Sequence, residues 1–238
     1  MTQRTPYHEG HDLFVDALLS APDDAPVPAC PSWDVHDLLA HQVLQLEAAH
    51  DGTFPFEDAM SAIVAPTPEE RVQALQRQER WIATGVARAR SAARDGLLAR
   101  WGDLTDNAVP QALGGLFPDL AVHLYDLLGA LHSTQHRHHD LIAAALEFWT
   151  PFAIERVRLD TGCNIRVDIA DPREGRSRQR DCLDGDVIVT ASAFELLRVV
   201  TGRRARSQAA GVLQWSVLDD RIVAALPLYG WRAAPLNE

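Results

Sequence analysis

The sequence predicts an α+β protein, in which a helical bundle of about 150 residues precedes a small α+β domain. Three observations carry this. Apolar residues recur at three- and four-residue spacing through the first two-thirds, as in Leu120, Leu124, Leu127 and Leu131. Near Ile154 the pattern changes to alternation, with Val157 and Leu159, then Ile165, Val167 and Ile169, separated by polar residues. Turn dipeptides, Asp184-Gly185 and Asp219-Asp220, then punctuate the last third. The predicted division is 1–152 and 153–238.

The bundle elements follow in order. His8 to Ser20 is a short amphipathic helix carrying Leu13, Phe14, Leu18 and Leu19. Ala21 to Ser32, with four prolines, is a turn. Asp34 opens a second helix, with Asp37 three residues on as a capping-box analogue and Val35, Leu38, Leu39, Val43 and Leu46 as its apolar face. A long third helix runs from about Pro68 to Ala93, its Pro-Glu-Glu start suited to the positive end of the helix dipole. A fourth starts at Pro118, and His138 to Phe152 forms a fifth. In the second domain, strands are expected at Ile154–Leu159, Ile165–Ile169, Val187–Val189, Leu213–Val217 and Ile222–Ala225. A helix is expected at Ala191–Thr201, and Arg173–Arg180 is a charged, solvated loop.

Composition narrows the function. The formal net charge of -11 argues against a general nucleic-acid binder, which carries a basic face. All 22 basic residues are arginine, so Schiff-base chemistry through lysine is excluded within this chain. Met1 to Gly10 is polar and lacks the apolar core of a signal peptide. No run of roughly 18 apolar residues offers a membrane span. Three cysteines, Cys30, Cys163 and Cys182, are scattered and form no CxxC pair, which fits a reducing cytoplasm.

Chemistry concentrates in two segments. In Pro118-Asp-Leu-Ala-Val-His123, a carboxylate and an imidazole stand four residues apart on one helix face, roughly 5–6 Å apart at Cβ. At about 100° per residue they flank the Leu120/Leu124 stripe, at the edge of the bundle interior. His41 follows Leu38 and precedes Leu44 by three residues each, so it is at least half buried. Facing helices could bring His41, Asp119 and His123 onto one divalent ion. Three protein ligands leave an open position, as in catalytic sites, and nitrogen and oxygen donors suit zinc, with nickel or iron as alternatives. Spacing alone does not establish this: such pairs recur by chance, and a lone histidine on a half-apolar face is more often a hydrogen-bonded core residue.

Three segments together resemble a known family. Cys30-Pro-Ser-Trp33-Asp-Val-His-Asp37-Leu-Leu-Ala-His41 and Phe117-Pro-Asp119-Leu-Ala-Val-His123-Leu-Tyr-Asp126 are similar to the metal-site signatures of the DinB-like, mycothiol-dependent enzymes of the maleylpyruvate isomerase type. Ile188-Val-Thr-Ala-Ser-Ala-Phe-Glu-Leu-Leu-Arg-Val-Val-Thr-Gly202-Arg203 resembles the family's strand–helix–Gly–Arg ending. The resemblance implies a DinB-like four-helix bundle, a metal held by His41, Asp119 and His123, and mycothiol as cosubstrate. It also implies a role for Arg203 in catalysis, steering an anionic group. Asp119 stands where the isomerase pattern has glutamate, one methylene longer.

The chemistry implied is that of a thiol S-transferase, in which the metal-bound thiolate attacks a small electrophile. The alternatives are a cis–trans isomerase of the maleylpyruvate type and a non-catalytic ligand-binding protein. The departure at Asp119 favours S-transfer. Asp126 is a candidate second-sphere partner for His123, or an exposed helix aspartate. Arg71 is a weaker anion-binding candidate beside its reading as a solvated charge. His132, His136, His138 and His139 form a histidine-rich turn suited to adventitious metal binding. Cys30 is assigned to packing around Trp33. The expected partners are a small electrophile and a low-molecular-weight thiol, with neither nucleic acid nor membrane.

Overall fold

The structure is a computed structural model describing residues 4–108, 110–137, 140–170, 177–179 and 187–236. It divides into two compact units, 1–135 and 136–237. No helix among the described residues is long and apolar enough to cross a membrane.

The first unit is helical: α1 (Pro6–Leu19), α2 (Val35–His50), α3 (Phe56–Val64), α4 (Pro68–Ala89), α5 (Arg94–Asn107) and α6 (Pro110–Ala130). α1, α2, α4 and α6 correspond to the first four helices expected from sequence. α3 and α5 fall in stretches where no element was expected from sequence, and α5 takes up residues beyond the end of the expected long third helix. The boundaries have local causes. Asp34 caps α2, its carboxylate accepting from Asp37 N at 2.8 Å while Asp34 N donates to Asp37 Oδ2. Thr67 and Glu70 make the equivalent box on α4, with Pro68 at its first position. α6 begins eight residues before the expected start, so Pro118 lies inside the helix rather than at its head.

α2 packs against α4, α5 and α6. It is consequently buried almost all round, and its buried set includes polar Asp37, His41, Gln42 and Gln45 as well as Leu38, Leu39, Val43 and Leu46. Against α4 the approach is close: a Cβ on Gly85 would lie 2.3 Å from Leu44 Cδ2.

The second unit contains α7 (Asp140–Thr161), β1 (Ile165–Ala170), β2 (Ser177–Gln179), β3 (Val187–Ser192), α8 (Ala193–Val200), α9 (Arg206–Val212), β4 (Gln214–Trp215) and α10 (Asp220–Ala225). The sheet order is β2-β1-β3-β4, with β1 and β3 parallel and the outer strands antiparallel. Ile165, Val167, Val187 and Val189 point inward at alternate positions, and α7 and α8 pack against this sheet and each other.

Two strand expectations are overturned. Ile154–Leu159 continues α7. Trp149, Ala153 and Val157, four residues apart, bury one face of the helix through this stretch, a period that a short run cannot distinguish from alternation. Ile222–Ala225 is helical because Asp219 caps it, accepting from Arg221 N at 2.8 Å, and Ile222 and Leu226 face inward one turn apart. Leu213–Val217 is strand only over Gln214–Trp215, and Val217 is exposed. Within the expected charged loop, Ser177–Gln179 pairs with β1. Its remaining residues, Asp184-Gly185 and Cys182 lie outside the described residues.

The chain leaves α8 through Gly202, two residues past its end, whose φ of +73° is a backbone conformation that favours glycine. A Cβ there would meet the Gly230 carbonyl at 2.7 Å. Gly202→Ala should therefore lower the unfolding free energy by about 2–4 kcal/mol, combining left-handed strain with a collision that backbone cannot relieve by rotamer change. A urea midpoint unchanged from wild type would refute this.

Candidate metal centre

α2 and α6 position the side chains that matter. The capping box that starts α2 is pinned by Arg90, which pairs with both Asp34 and Asp37. His41 follows one helical turn after Asp37 and is 1% exposed. On α6, Asp119 and His123 share a face at i,i+4. The loop before α2 is held by short backbone bonds, Val27 N to Trp33 O, Cys30 N to Val27 O and Trp33 N to Cys30 O. These bonds seat the Trp33 ring 4.9 Å from the His41 ring and 5.8 Å from that of His123.

The three sequence-predicted ligands converge. Asp119 Oδ2 lies 3.3 Å from His41 Nε2 and 3.6 Å from His123 Nε2. One potential ligand atom of each lies within 4.8 Å of the others. Donors held about 2.0–2.1 Å from a tetrahedral ion stand roughly 3.4 Å apart. The two measured separations approach that spacing, so the residues fit a divalent cation. Aspartate, despite its shorter side chain, reaches the point between the imidazoles.

Electrostatics point the same way. Burial by itself would push the His123 pKa down. The Asp119 charge, contact with Asp126 and the neighbouring Cys30 override it and raise it to about 10. Asp126 is fully buried rather than exposed, and its Oδ2 stands 2.9 Å from His123 Nδ1. Two carboxylates in a largely buried pocket favour positive charge, whether a proton or a cation.

Two contributors were not singled out from sequence. Gln45, one turn after His41, donates from Nε2 to Asp119 Oδ2 at 2.9 Å and lies 2.6 Å from His41 Nε2. Its i+4 spacing from His41 was the available signal. Cys30, read as packing, donates its thiol to Asp126 Oδ2 at 3.6 Å and forms a second cluster of potential ligands with His123 and Asp126. That contact spans 96 residues and leaves no local pattern.

The other candidates are placed differently. Arg71 is buried, and its Nη1 donates to Ala65 O at 2.9 Å, at the end of α3. Arg203, in the second unit, is part-buried and donates from Nη1 to Thr201 O at 2.8 Å. Its neighbour Arg204 makes a two-point pair with Glu195. His132 and His136 are exposed and join no ligand cluster among the described residues, while His138 and His139 lie outside them.

Residues 6–128 match the model of the mycothiol maleylpyruvate isomerase N-terminal domain. The chain belongs to this DinB-like, mycothiol-dependent family. It is similar to the solved structure of a mycothiol-dependent maleylpyruvate isomerase, at 14% identity over 91% of this chain and 93% of that one, with a TM-score of 0.48. A histidine-to-alanine mutant of such an isomerase aligns at 12% identity over the same shares, with a TM-score of 0.50. The latter likeness shows a common fold. No curated protein matches the chain.

Because the folded-state pKa of His123 is raised, its protonation adds stability that is complete below about 6.5 and lost as pH rises through about 10. Asp126→Asn should move the His123 titration midpoint downward in metal-free protein, read from imidazole nitrogen NMR shifts. An unmoved midpoint would show that Asp126 does not contribute.

Proposed function

We propose that this member of the family is a metal- and thiol-dependent S-transferase that joins mycothiol, or a thiol like it, to a small electrophile. The observation that supports it is the convergence of His41 Nε2, His123 Nε2 and Asp119 Oδ2 on one part-buried point of the bundle. A divalent cation held there, zinc by donor type with nickel or iron as alternatives, supplies when bound the charge that keeps a thiol of pKa near ~8.5 deprotonated at neutral pH.

The chain's own groups then have distinct tasks. His41 and His123 each offer a neutral imidazole lone pair. Asp126 Oδ2, 2.9 Å from His123 Nδ1, favours the proton on that nitrogen by its charge and so keeps Nε2 free to ligate. Trp33 covers both rings and limits access of water to them. Arg203 is assigned the steering of an anionic group on thiol or electrophile, a task suited to guanidinium; this assignment rests on its place after Gly202.

A second reading, cis–trans isomerisation, is favoured by the family itself. Both reactions begin with addition of the thiol sulfur to an electrophilic carbon. In isomerisation the sulfur leaves after bond rotation; in transfer it stays. Asp119 is one methylene shorter than the glutamate of the family pattern, which alters the space at the open position, and it is this departure that supports transfer.

Purified protein should carry about one divalent metal per chain, and His41→Ala or His123→Ala should reduce it to trace while helical circular dichroism persists. Folded wild type that takes up no zinc, nickel or iron would defeat the proposal. With metal bound, electrophiles should be consumed only when mycothiol is present. Stable S-conjugates in the products indicate transfer, and a rearranged substrate with thiol regenerated indicates isomerisation. Arg203→Ala should cost about 1.5–3 kcal/mol of transition-state binding, roughly 10–150-fold in kcat/KM, with metal content unchanged. Loss of metal in that variant would contradict the role given to it.

A further inference from the structure

Gln45 is 5% exposed and lies on the helix that is enclosed by α4, α5 and α6. Its Nε2 stands 2.6 Å from His41 Nε2 and 2.9 Å from Asp119 Oδ2, two of the three atoms that face the candidate cation position. A primary amide nitrogen carries two protons, and these two acceptors can take one each. The arrangement gives the buried His41 lone pair and the part-buried Asp119 oxygen a donor.

The same arrangement is incompatible with a bound cation. Those lone pairs would then point at the ion, and an N–H dipole aimed between them would oppose it. Gln45 cannot retreat to solvent, because α2 is buried around its circumference. Rotation of the terminal amide exchanges nitrogen for oxygen with almost no change in shape, since the two ends are close to isosteric and the terminal torsion is soft. The oxygen would then face the cation with its own lone pairs.

We propose that Gln45 is a fourth protein donor to the cation site: its nitrogen satisfies the ligand lone pairs in the metal-free protein, and its oxygen donates to the ion in the loaded one. The donor set becomes two nitrogens and two oxygens, and a thiol would enter as a fifth ligand. Such five-coordination lies within the range of zinc. This inference rests on the metal site proposed above.

The test measures zinc affinity of the full-length protein by competition with a chromophoric chelator, for wild type, Gln45→Ala, Gln45→Met and Gln45→Glu. The methionine variant keeps the volume without the amide, so it remains informative if the alanine variant does not fold. Ala and Met should weaken zinc binding by roughly 10-fold or more, since losing even a supporting partner of a ligand costs about 10–100-fold. Glu should retain or tighten binding. In cobalt-substituted protein, the Met variant should change the visible absorption bands, which report coordination number. Equal or tighter affinity in Ala and Met, with unchanged cobalt bands, would overturn the inference and make Gln45 only a competitor for the ligands. Failure of wild type to bind any metal would instead overturn the underlying site, so the two failures are distinguishable.

Discussion

Helix α2 is enclosed on all sides, yet it carries Asp37, His41, Gln42 and Gln45 in its buried set. A buried polar group without a partner costs about 1–3 kcal/mol, and Asp37, His41 and Gln45 are each met by another polar group. Asp37 is met by the Asp34 backbone and by Arg90. His41 Nε2 is met by the Gln45 amide, which also donates across the bundle to Asp119. These contacts fix the facing of α6 against α2, because Asp119 must present its carboxylate to the Gln45 amide. The centre is therefore part of what registers the bundle, and its polar residues and its packing cannot be varied independently.

The polar chain continues outward from that point. Asp119 contacts His123, His123 contacts Asp126, and Asp126 accepts the Cys30 thiol. Cys30 itself is set by the hydrogen-bonded loop that also places Trp33 over both imidazoles. The loop before α2 and the bodies of α2 and α6 thus share one network. Its excess of carboxylate explains why His123 favours a proton despite complete burial, where desolvation acting alone would have lowered its pKa.

Some of this network is legible in the sequence. Asp119 and His123 can be paired because i,i+4 spacing is a local property of a helix, and the Asp34/Asp37 box marks the start of α2 for the same reason. Gln45 obeys the identical rule relative to His41, and only the habit of regarding glutamine as surface filler hides it. Cys30 and Asp126 are a different case, since their contact spans 96 residues and depends on how the bundle closes. In the second unit, Ile154–Leu159 misleads because three apolar residues satisfy either period. Asp219-Asp220 misleads because an aspartate that caps a helix and one that makes a turn look alike in sequence.

The glutamate-to-aspartate departure at position 119 marks the limit of reasoning by spacing. On side-chain length alone, aspartate should fall short or draw the ion toward its helix. Asp119 Oδ2 nonetheless stands 3.3 and 3.6 Å from the two imidazole nitrogens. Pro118 immediately precedes it within the helix. Proline has no N–H to bond the carbonyl four residues back, at Gly114, and its ring crowds that carbonyl. The helix is thereby least constrained at the turn leading into the ligand. A carboxylate on a shorter tether loses fewer rotamers when fixed, so the exchange favours a stiffer side chain between the two imidazoles. In the proposed reading the consequence falls on the open coordination position, where a shorter carboxylate would change the room left for what the thiol meets.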